Sequence, residues 1–139
     1  MQRVVGTVWA VVFAAAAASQ DRAPAQNAAA TRGAATFHTY CAPCHGTSAR
    51  GDGPMADSLR YAPADLTGIA RRNGGRFPAE KVGKIIDGRA SLKGHGGTDM
   101  PIWGDAFKNT REGFDERRVK STIADLVQYL ATLQPASEK

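Results

Sequence analysis

Both cysteines of this 139-residue chain lie in one short stretch, Cys41-Ala42-Pro43-Cys44-His45. The C-x-x-C-H spacing is typical of covalent haem attachment. Two residues three apart on a helical turn face the same side, so both thiols can reach the two vinyl groups of one haem. The next residue can then direct its imidazole toward the iron. The stretch therefore predicts one covalent haem c held by Cys41 and Cys44, with His45 as an iron ligand.

Three other chemistries compete for the same residues. A thioredoxin-like redox pair needs a βαβ context, which the sequence pattern does not offer. A zinc site needs about four ligands, and His38 and His95 would have to complete the shell at unusual spacing. A plain disulfide between Cys41 and Cys44 would close a very small, strained loop. It would also leave His45 without a role, so haem remains the favoured interpretation.

A second axial ligand for the iron is predicted at Met100. A thioether opposite an imidazole raises the reduction potential of haem iron, and soft sulfur favours the ferrous state. Pro101 restricts the backbone of Met100 to extended forms. The glycines that precede it would let the loop approach a haem face closely; they are Gly94, Gly96 and Gly97. Trp103 is expected to pack beside the haem ring and to donate its indole N–H to a haem carboxylate.

Other residues could serve as the second ligand. Met1 lies in the N-terminal apolar segment, and Met55 is expected to be a packing residue in a short helix. His95 lies in the glycine-rich loop and would give a bis-histidine iron of lower potential. His38 lies on the first helix, on the same side as His45.

The second ring nitrogen of a metal-binding histidine usually needs a hydrogen-bond acceptor. A backbone carbonyl from a proline-bearing loop suits this role. The stretch Pro63-Ala64-Asp65-Leu66 provides one, and Pro63 is preferred over Pro54.

The elements that must position these residues are predicted to be helical, because no segment shows the strict alternation of apolar and polar residues that would indicate a strand. Phe37, Tyr40, Cys41 and Cys44 share one helical face, and Pro43 should end or loosen that helix. A short helix is expected to begin at Pro54. Another should begin at Pro78 and end at Gly88. The strongest pattern predicts a last helix with Asp115 as N-cap, an apolar stripe from Val119 to Leu133 and a stop at Pro135.

The N-terminus has the pattern of an export signal. Arg3 gives a positive start, and residues 4–18 are uncharged and almost wholly apolar. This stretch suits a signal peptide but is short for a membrane span, which needs about 20 residues. We therefore expect a signal peptide over residues 1–25, cleaved after Ala18 or Ala25, with an uncleaved anchor as the alternative. Residues 26–32 are interpreted as a flexible linker and residues 33–134 as the folded domain.

The composition is that of an ordinary globular domain, with 42% hydrophobic and 22% charged residues. The formal net charge is +5, from 18 Lys and Arg against 13 Asp and Glu. Such a balance suits docking to an acidic protein surface. No basic block is interleaved with aromatic residues, so nucleic-acid binding is not expected.

From Gly33 to Leu133 the sequence resembles the class I, mono-haem c-type cytochromes of bacteria. The resemblance rests on the C-x-x-C-H motif, on Met100-Pro101-x-Trp103-Gly104, and on Gly51-Asp52-Gly53-Pro54 leading to Pro63-Ala64-Asp65-Leu66. Gly33 and Phe37 match the glycine and aromatic that pack the family's first helix against its last. Here Leu126, Tyr129 and Leu130 would be their partners.

This resemblance implies an all-α fold of about four to five helices around one covalent haem. It also implies single-electron transfer between redox partners such as an oxidase, a reductase or a dehydrogenase. If His45 and Met100 both bind iron, no coordination site is open, and a carrier is expected rather than an enzyme. We expect a periplasmic location, with no stable membrane insertion once the leader is cleaved. Two alternatives remain: a fixed electron-transfer subunit of a larger complex, and a haem enzyme or sensor with a labile sixth ligand.

Overall fold

The computed structural model describes residues 22–89, 100–110 and 113–135. Within these ranges it contains six α-helices and no strand, which confirms the all-α prediction. The helices are α1 (Arg22–Tyr40), α2 (Ala42–His45), α3 (Ile69–Arg72), α4 (Ala79–Asp87), α5 (Trp103–Lys108) and α6 (Glu116–Thr132). The count exceeds the expected four to five because α2 and α3 are only four residues long. Residues 1–21 of the predicted signal peptide, which include Met1, lie outside the described residues, as do His95 and the glycines predicted to bring the Met100 loop close to the haem, Gly94, Gly96 and Gly97.

The crossing of α1 and α6 is the main packing contact of the fold. At the crossing, a Cβ added to Gly33 would overlap the carbonyl oxygen of Asp125 and lie 2.9 Å from Tyr129 Cβ. Phe37, one turn later, is fully buried and lies 5.3 Å from the Tyr129 ring, centroid to centroid. The expected role of Gly33 in a close approach of the two helices is therefore confirmed.

Residues 26–32 are helical, so the prediction of a flexible linker there was wrong. Three of the seven residues in this segment are Ala, and Gln26 and Arg32 are also strong helix formers. Pro24 is compatible with the helix because it lies in the first turn. At the other end of the segment, Arg32 donates two hydrogen bonds to the Asp125 carboxylate, at 2.7 and 2.9 Å. This ion pair fastens the segment to α6.

The last helix follows the sequence prediction closely. Asp115 is its N-cap, and its side chain accepts a hydrogen bond of 2.8 Å from the Arg118 backbone N–H. The apolar stripe is buried at Val119, Ile123, Leu126, Val127 and Leu130. Asp125 faces α1 and pairs with Arg32. The helix ends at Thr132, before Pro135.

Helix α4 packs against α6 and α5. Pro78 is its N-cap rather than its first residue. Gly88 closes the helix with a left-handed φ of 69°, a conformation that glycine adopts at little cost. The helix expected at Pro54 is reduced to a 3₁₀ turn, Ala56–Ser58. No helix among the described residues is long and apolar enough to cross a membrane.

Candidate functional site

The predicted haem ligands line one cavity of about 370 Å³. Cys41 and His45 come from the first half of the domain and Met100 from the second half, and all three border this space. The walls are mainly apolar: Phe37 from α1, Leu66 and Ile69 around the start of α3, Val82, Ile85 and Ile86 from α4, and Leu126 and Leu130 from α6. Exposed Arg72, Asn73 and Lys81 line the cavity where it reaches the surface.

The motif residues are positioned by a break between α1 and α2. Helix α1 ends at Tyr40, three residues before Pro43, which lacks the N–H that would continue the hydrogen bonding of the helix. The chain still turns helically: Cys41 N–H donates to Phe37 O at 2.8 Å, and His45 N–H donates to Cys41 O at 2.8 Å. Cys44 lies on α2, is half-buried and does not line the cavity.

The Nδ1 atom of His45 lies 3.1 Å from the carbonyl oxygen of Ala64. The predicted acceptor, Pro63, was therefore one residue off. The Pro63 carbonyl instead packs against Gly51, where an added Cβ would overlap it. A neutral His45 that donates its Nδ1 proton to Ala64 leaves the Nε2 lone pair available for a metal.

Two contacts hold the Ala64 carbonyl in place. Gly51 has a φ of 86° and lies directly against Pro63, a position and a conformation that exclude other residues. Leu66 N–H donates to Ala49 O at 2.8 Å. The turn that follows the motif thus holds residues 63–66 beside His45.

Burial favours the uncharged forms of Cys41 and His45, two of the titratable groups that line the cavity. Burial, assisted by the neighbouring Cys44, raises the pKa of the Cys41 thiol to about 12. Burial lowers the pKa of His45, and this effect outweighs the hydrogen bond to Ala64. A redox-active thiol pair needs a lowered thiol pKa, so the Cys41 environment does not suit thioredoxin-like chemistry. A neutral imidazole is the form that binds a metal.

The other candidates for the second iron ligand lie away from the cavity that Met100 lines. Met100 is half-buried and packs against the core. Met55 is 50% exposed and does not line the cavity. His38 is exposed and packs beside Phe37 and Tyr129 on the α6 side. Among the described residues, no group of three or more His, Cys, Asp or Glu side chains could hold a metal ion, so the zinc alternative gains no support from them.

Trp103 lies in an aromatic cluster and not on the cavity wall. Its ring centroid is 5.8 Å from that of Tyr40 and 5.3 Å from that of Phe107. The cluster joins the end of α1, next to Cys41, to the start of α5, next to Met100. The hydrogen bond predicted from its indole N–H to a haem carboxylate stays a prediction.

These residues fit a haem. The cavity volume lies within the range of about 300–1,000 Å³ that cofactor sites occupy, and apolar walls suit a porphyrin. Both cysteines are free thiols, a neutral imidazole and a thioether border the space, and Arg72 and Lys81 could meet the haem carboxylates. The cytochrome c family model matches residues 30–134.

The chain belongs to the cytochrome c family. Members of this family bind covalent haem c and use it in electron transfer, and a single-domain member of class I typically carries one haem. Neither curated proteins nor solved structures give a significant match to this chain. Family membership and the cavity thus support the haem assignment independently.

Several residues of this cytochrome's site carry no signal in the sequence. The apolar stripe of α6 is predicted to be buried, but no pattern indicates that Leu126 and Leu130, or Val82 and Ile85 from α4, border the cofactor space. The short α3, which brings Arg72 to the cavity, has no periodic signal because it spans one turn. These placements depend on how the helices cross.

Proposed function

We propose that this cytochrome is an exported carrier of single electrons with His45 and Met100 as the axial ligands of its haem iron. The observation that supports the ligand pair is that both residues, distant in sequence, line the same apolar cavity together with Cys41. Redox proteins are the partners of cytochromes c in general. An oxidase, a reductase or a dehydrogenase would be the specific partner here.

The chain's own residues account for carrier behaviour. Cys41 and Cys44 would hold the haem by thioether bonds, which would keep it from being lost outside the cell. Ala64 orients His45 through its carbonyl oxygen, and Met100 would supply the second iron ligand from the cavity wall. When bound, haem supplies a reversible one-electron change between Fe(III) and Fe(II). If His45 and Met100 both held the iron, substrate would have no access to the metal, which favours a carrier over an enzyme.

Replacing Met100 with Ala tests the ligand assignment. We expect the variant to lose the weak sulfur-to-iron charge-transfer band of the oxidised protein, to bind CO rapidly when reduced and to have a lower reduction potential. Met55→Ala is the matched control, because Met55 is half-exposed and off the cavity. An unchanged potential in Met100→Ala, or a loss of the band in Met55→Ala, would contradict the assignment.

The attachment sites are tested by replacing Cys41 and Cys44 together with Ala. Expressed beside a working haem-ligation system, the double variant should release its haem on denaturation, whereas the wild-type protein should keep it. Mass spectrometry of both denatured proteins gives the result directly. A double variant that retains the haem mass would show that attachment occurs elsewhere.

The distribution of charge supports an acidic partner surface. Residues 60–84 contain six Lys and Arg against two Asp and Glu, whereas residues 103–135 contain five of each. Arg72 and Lys81, from the basic segment, line the cavity. A partner with acidic residues would therefore be drawn toward the side where the cavity reaches the surface.

Small charged redox reagents test this uneven distribution of charge without a known partner. Reduced protein should react faster with anionic ferricyanide than with a cationic cobalt complex of similar driving force, and added salt should reduce the difference. Arg76→Glu should slow the ferricyanide reaction, because Arg76 lies beside the cavity-lining Asn73, whose side-chain amide donates to the Arg76 carbonyl oxygen at 2.9 Å. Lys120→Glu on α6 makes the same change of charge away from the cavity and should have a smaller effect. Equal effects of the two variants would show that only net charge matters.

Export is part of the proposal and is supported by the N-terminal sequence alone. The apolar stretch of residues 4–18 follows a positive start; it ends with an A-x-A site at Ala18, and a second A-x-A site ends at Ala25. The mass of the haem-containing protein from a periplasmic extract would identify cleavage after Ala18 or Ala25. A product found only in membranes at full-length mass would favour the uncleaved anchor instead.

A further inference from the structure

The segment that contains Met100 is seated against the end of α4. A Cβ added to Gly88, the C-cap of α4, would lie 3.2 Å from Ile102 Cα. A Cβ added to Gly104 would overlap the Asp87 carboxylate and the Arg89 guanidinium and lie 2.8 Å from Asp87 O. Residues 102–104 and 87–89 are therefore in direct contact through their backbones.

An ion network centred on Arg89 lies at this contact. Arg89 donates to both oxygens of Asp87, from Nε at 2.5 Å and from Nη2 at 2.9 Å. It also donates to both oxygens of Glu116, from Nη2 at 2.9 Å and from Nη1 at 3.0 Å. Lys108 Nζ lies 2.7 Å from Glu116 Oε2. The planar guanidinium thus serves two carboxylates at once, which a lysine ammonium cannot do in the same geometry.

The network joins three elements of the fold. Asp87 ends α4, which forms a wall of the cavity; Lys108 ends α5; and Glu116 begins α6. The Arg89 and Asp87 side chains are only 25% and 28% exposed, so they are screened by solvent less than an ordinary surface pair. Hydrogen bonds from Arg89, followed by those from Lys108, lower the pKa of Glu116 to about 2.

We infer that Arg89 is a positioning residue that holds the Met100 sulfur at the cavity. It does so by fixing α5, which begins three residues after Met100, against the α4 wall. This inference rests on the proposed function, in which Met100 is an iron ligand. Without Arg89, the Met100 segment is free to move from the cavity, while Cys41, Cys44 and His45 keep their positions.

The test uses the haem-containing protein and the uptake of imidazole by its oxidised form, which requires Met100 to leave the iron. We expect Arg89→Gln to take up imidazole about tenfold faster than wild type, equivalent to about 1.4 kcal/mol, and to weaken the sulfur-to-iron band. Arg89→Lys should recover only part of the effect. Lys84→Gln is the control, because it removes an exposed Lys84–Glu80 pair from the same helix.

Measuring the free energy of unfolding of the same proteins distinguishes a role of Arg89 in positioning Met100 from a purely structural role. If Arg89→Gln lowers it but leaves imidazole uptake and the band as in wild type, the inference is overturned. If Arg89→Gln does not fold, Glu116→Gln, which keeps the Asp87–Arg89 pair, should give a smaller acceleration, and no acceleration would overturn the inference.

Failure of the proposed function has a different signature. A wild-type protein without the sulfur-to-iron band, and with imidazole uptake equal to that of Met100→Ala, would overturn the ligand assignment and this inference with it. A wild-type band that Arg89→Gln leaves unchanged overturns the inference alone.

Discussion

Replacing Gly33 with Ala should destabilise the protein although alanine is the better helix former. Gly33 lies where α1 crosses α6, and the added Cβ would be 2.6 Å from the Asp125 carbonyl carbon and 2.9 Å from Tyr129 Cβ. Non-bonded carbon atoms in protein interiors prefer a separation of about 3.5–4.0 Å. The obstacle includes main-chain atoms, so a side-chain rotation cannot relieve it. The two helices must move apart by about 1 Å.

The size of the effect follows from two opposing contributions. Overpacking a tight contact costs about 1–3 kcal/mol, and the upper end applies because a backbone must move. Alanine in a helix interior is more favourable than glycine by about 1 kcal/mol. We therefore expect the free energy of unfolding to fall by about 2 kcal/mol.

The assay is reversible denaturant unfolding of the haem-containing protein, followed by far-ultraviolet circular dichroism. Gly83→Ala is the matched control: its Cβ would lie at ordinary contact distance, 3.7 Å from Val127 Cγ2 and 4.0 Å from Ile123 Cγ2. It should gain up to about 1 kcal/mol from helix propensity. Equal stabilisation of both variants would refute the close crossing of α1 and α6.

Two further predictions concern the start of α6. The pKa of Glu116 is lowered to about 2 from an ordinary 4.5, so its contribution to stability is present above about pH 4.5 and is lost as the pH falls toward 2. The difference in unfolding free energy between wild type and Glu116→Gln should shrink over that range, and a difference that does not change with pH would contradict the prediction. Asp115→Ala removes the N-cap bond to the Arg118 N–H and should cost about 1 kcal/mol in the same unfolding assay. Ser121→Ala, on the exposed face of the helix, is its control, and equal losses in both variants would show that the cap is not responsible.

Local chemistry in the sequence predicted much of this fold. The α6 cap, its buried stripe and the Gly88 stop each depend on residues within a few positions of one another, so their types are sufficient evidence. The linker prediction was wrong for a related reason. Residues 26–32 lack an apolar stripe, but their helix propensity and the distant Arg32–Asp125 pair favour a helix.

The sequence alone predicts the attachment chemistry, because Cys41, Cys44 and His45 are neighbours whose spacing is set by one helical turn. It also indicated Met100 as a ligand candidate through Pro101 and the preceding glycines. Tertiary structure decided which carbonyl faces His45, because a one-residue change reverses the direction of a peptide group, and the contact between Pro63 and Gly51 selects Ala64. Tertiary structure also decided that Trp103 lies among aromatic rings and that Arg89 joins three helix ends. Such contacts join residues distant in the chain, whose positions are fixed only once the helices pack.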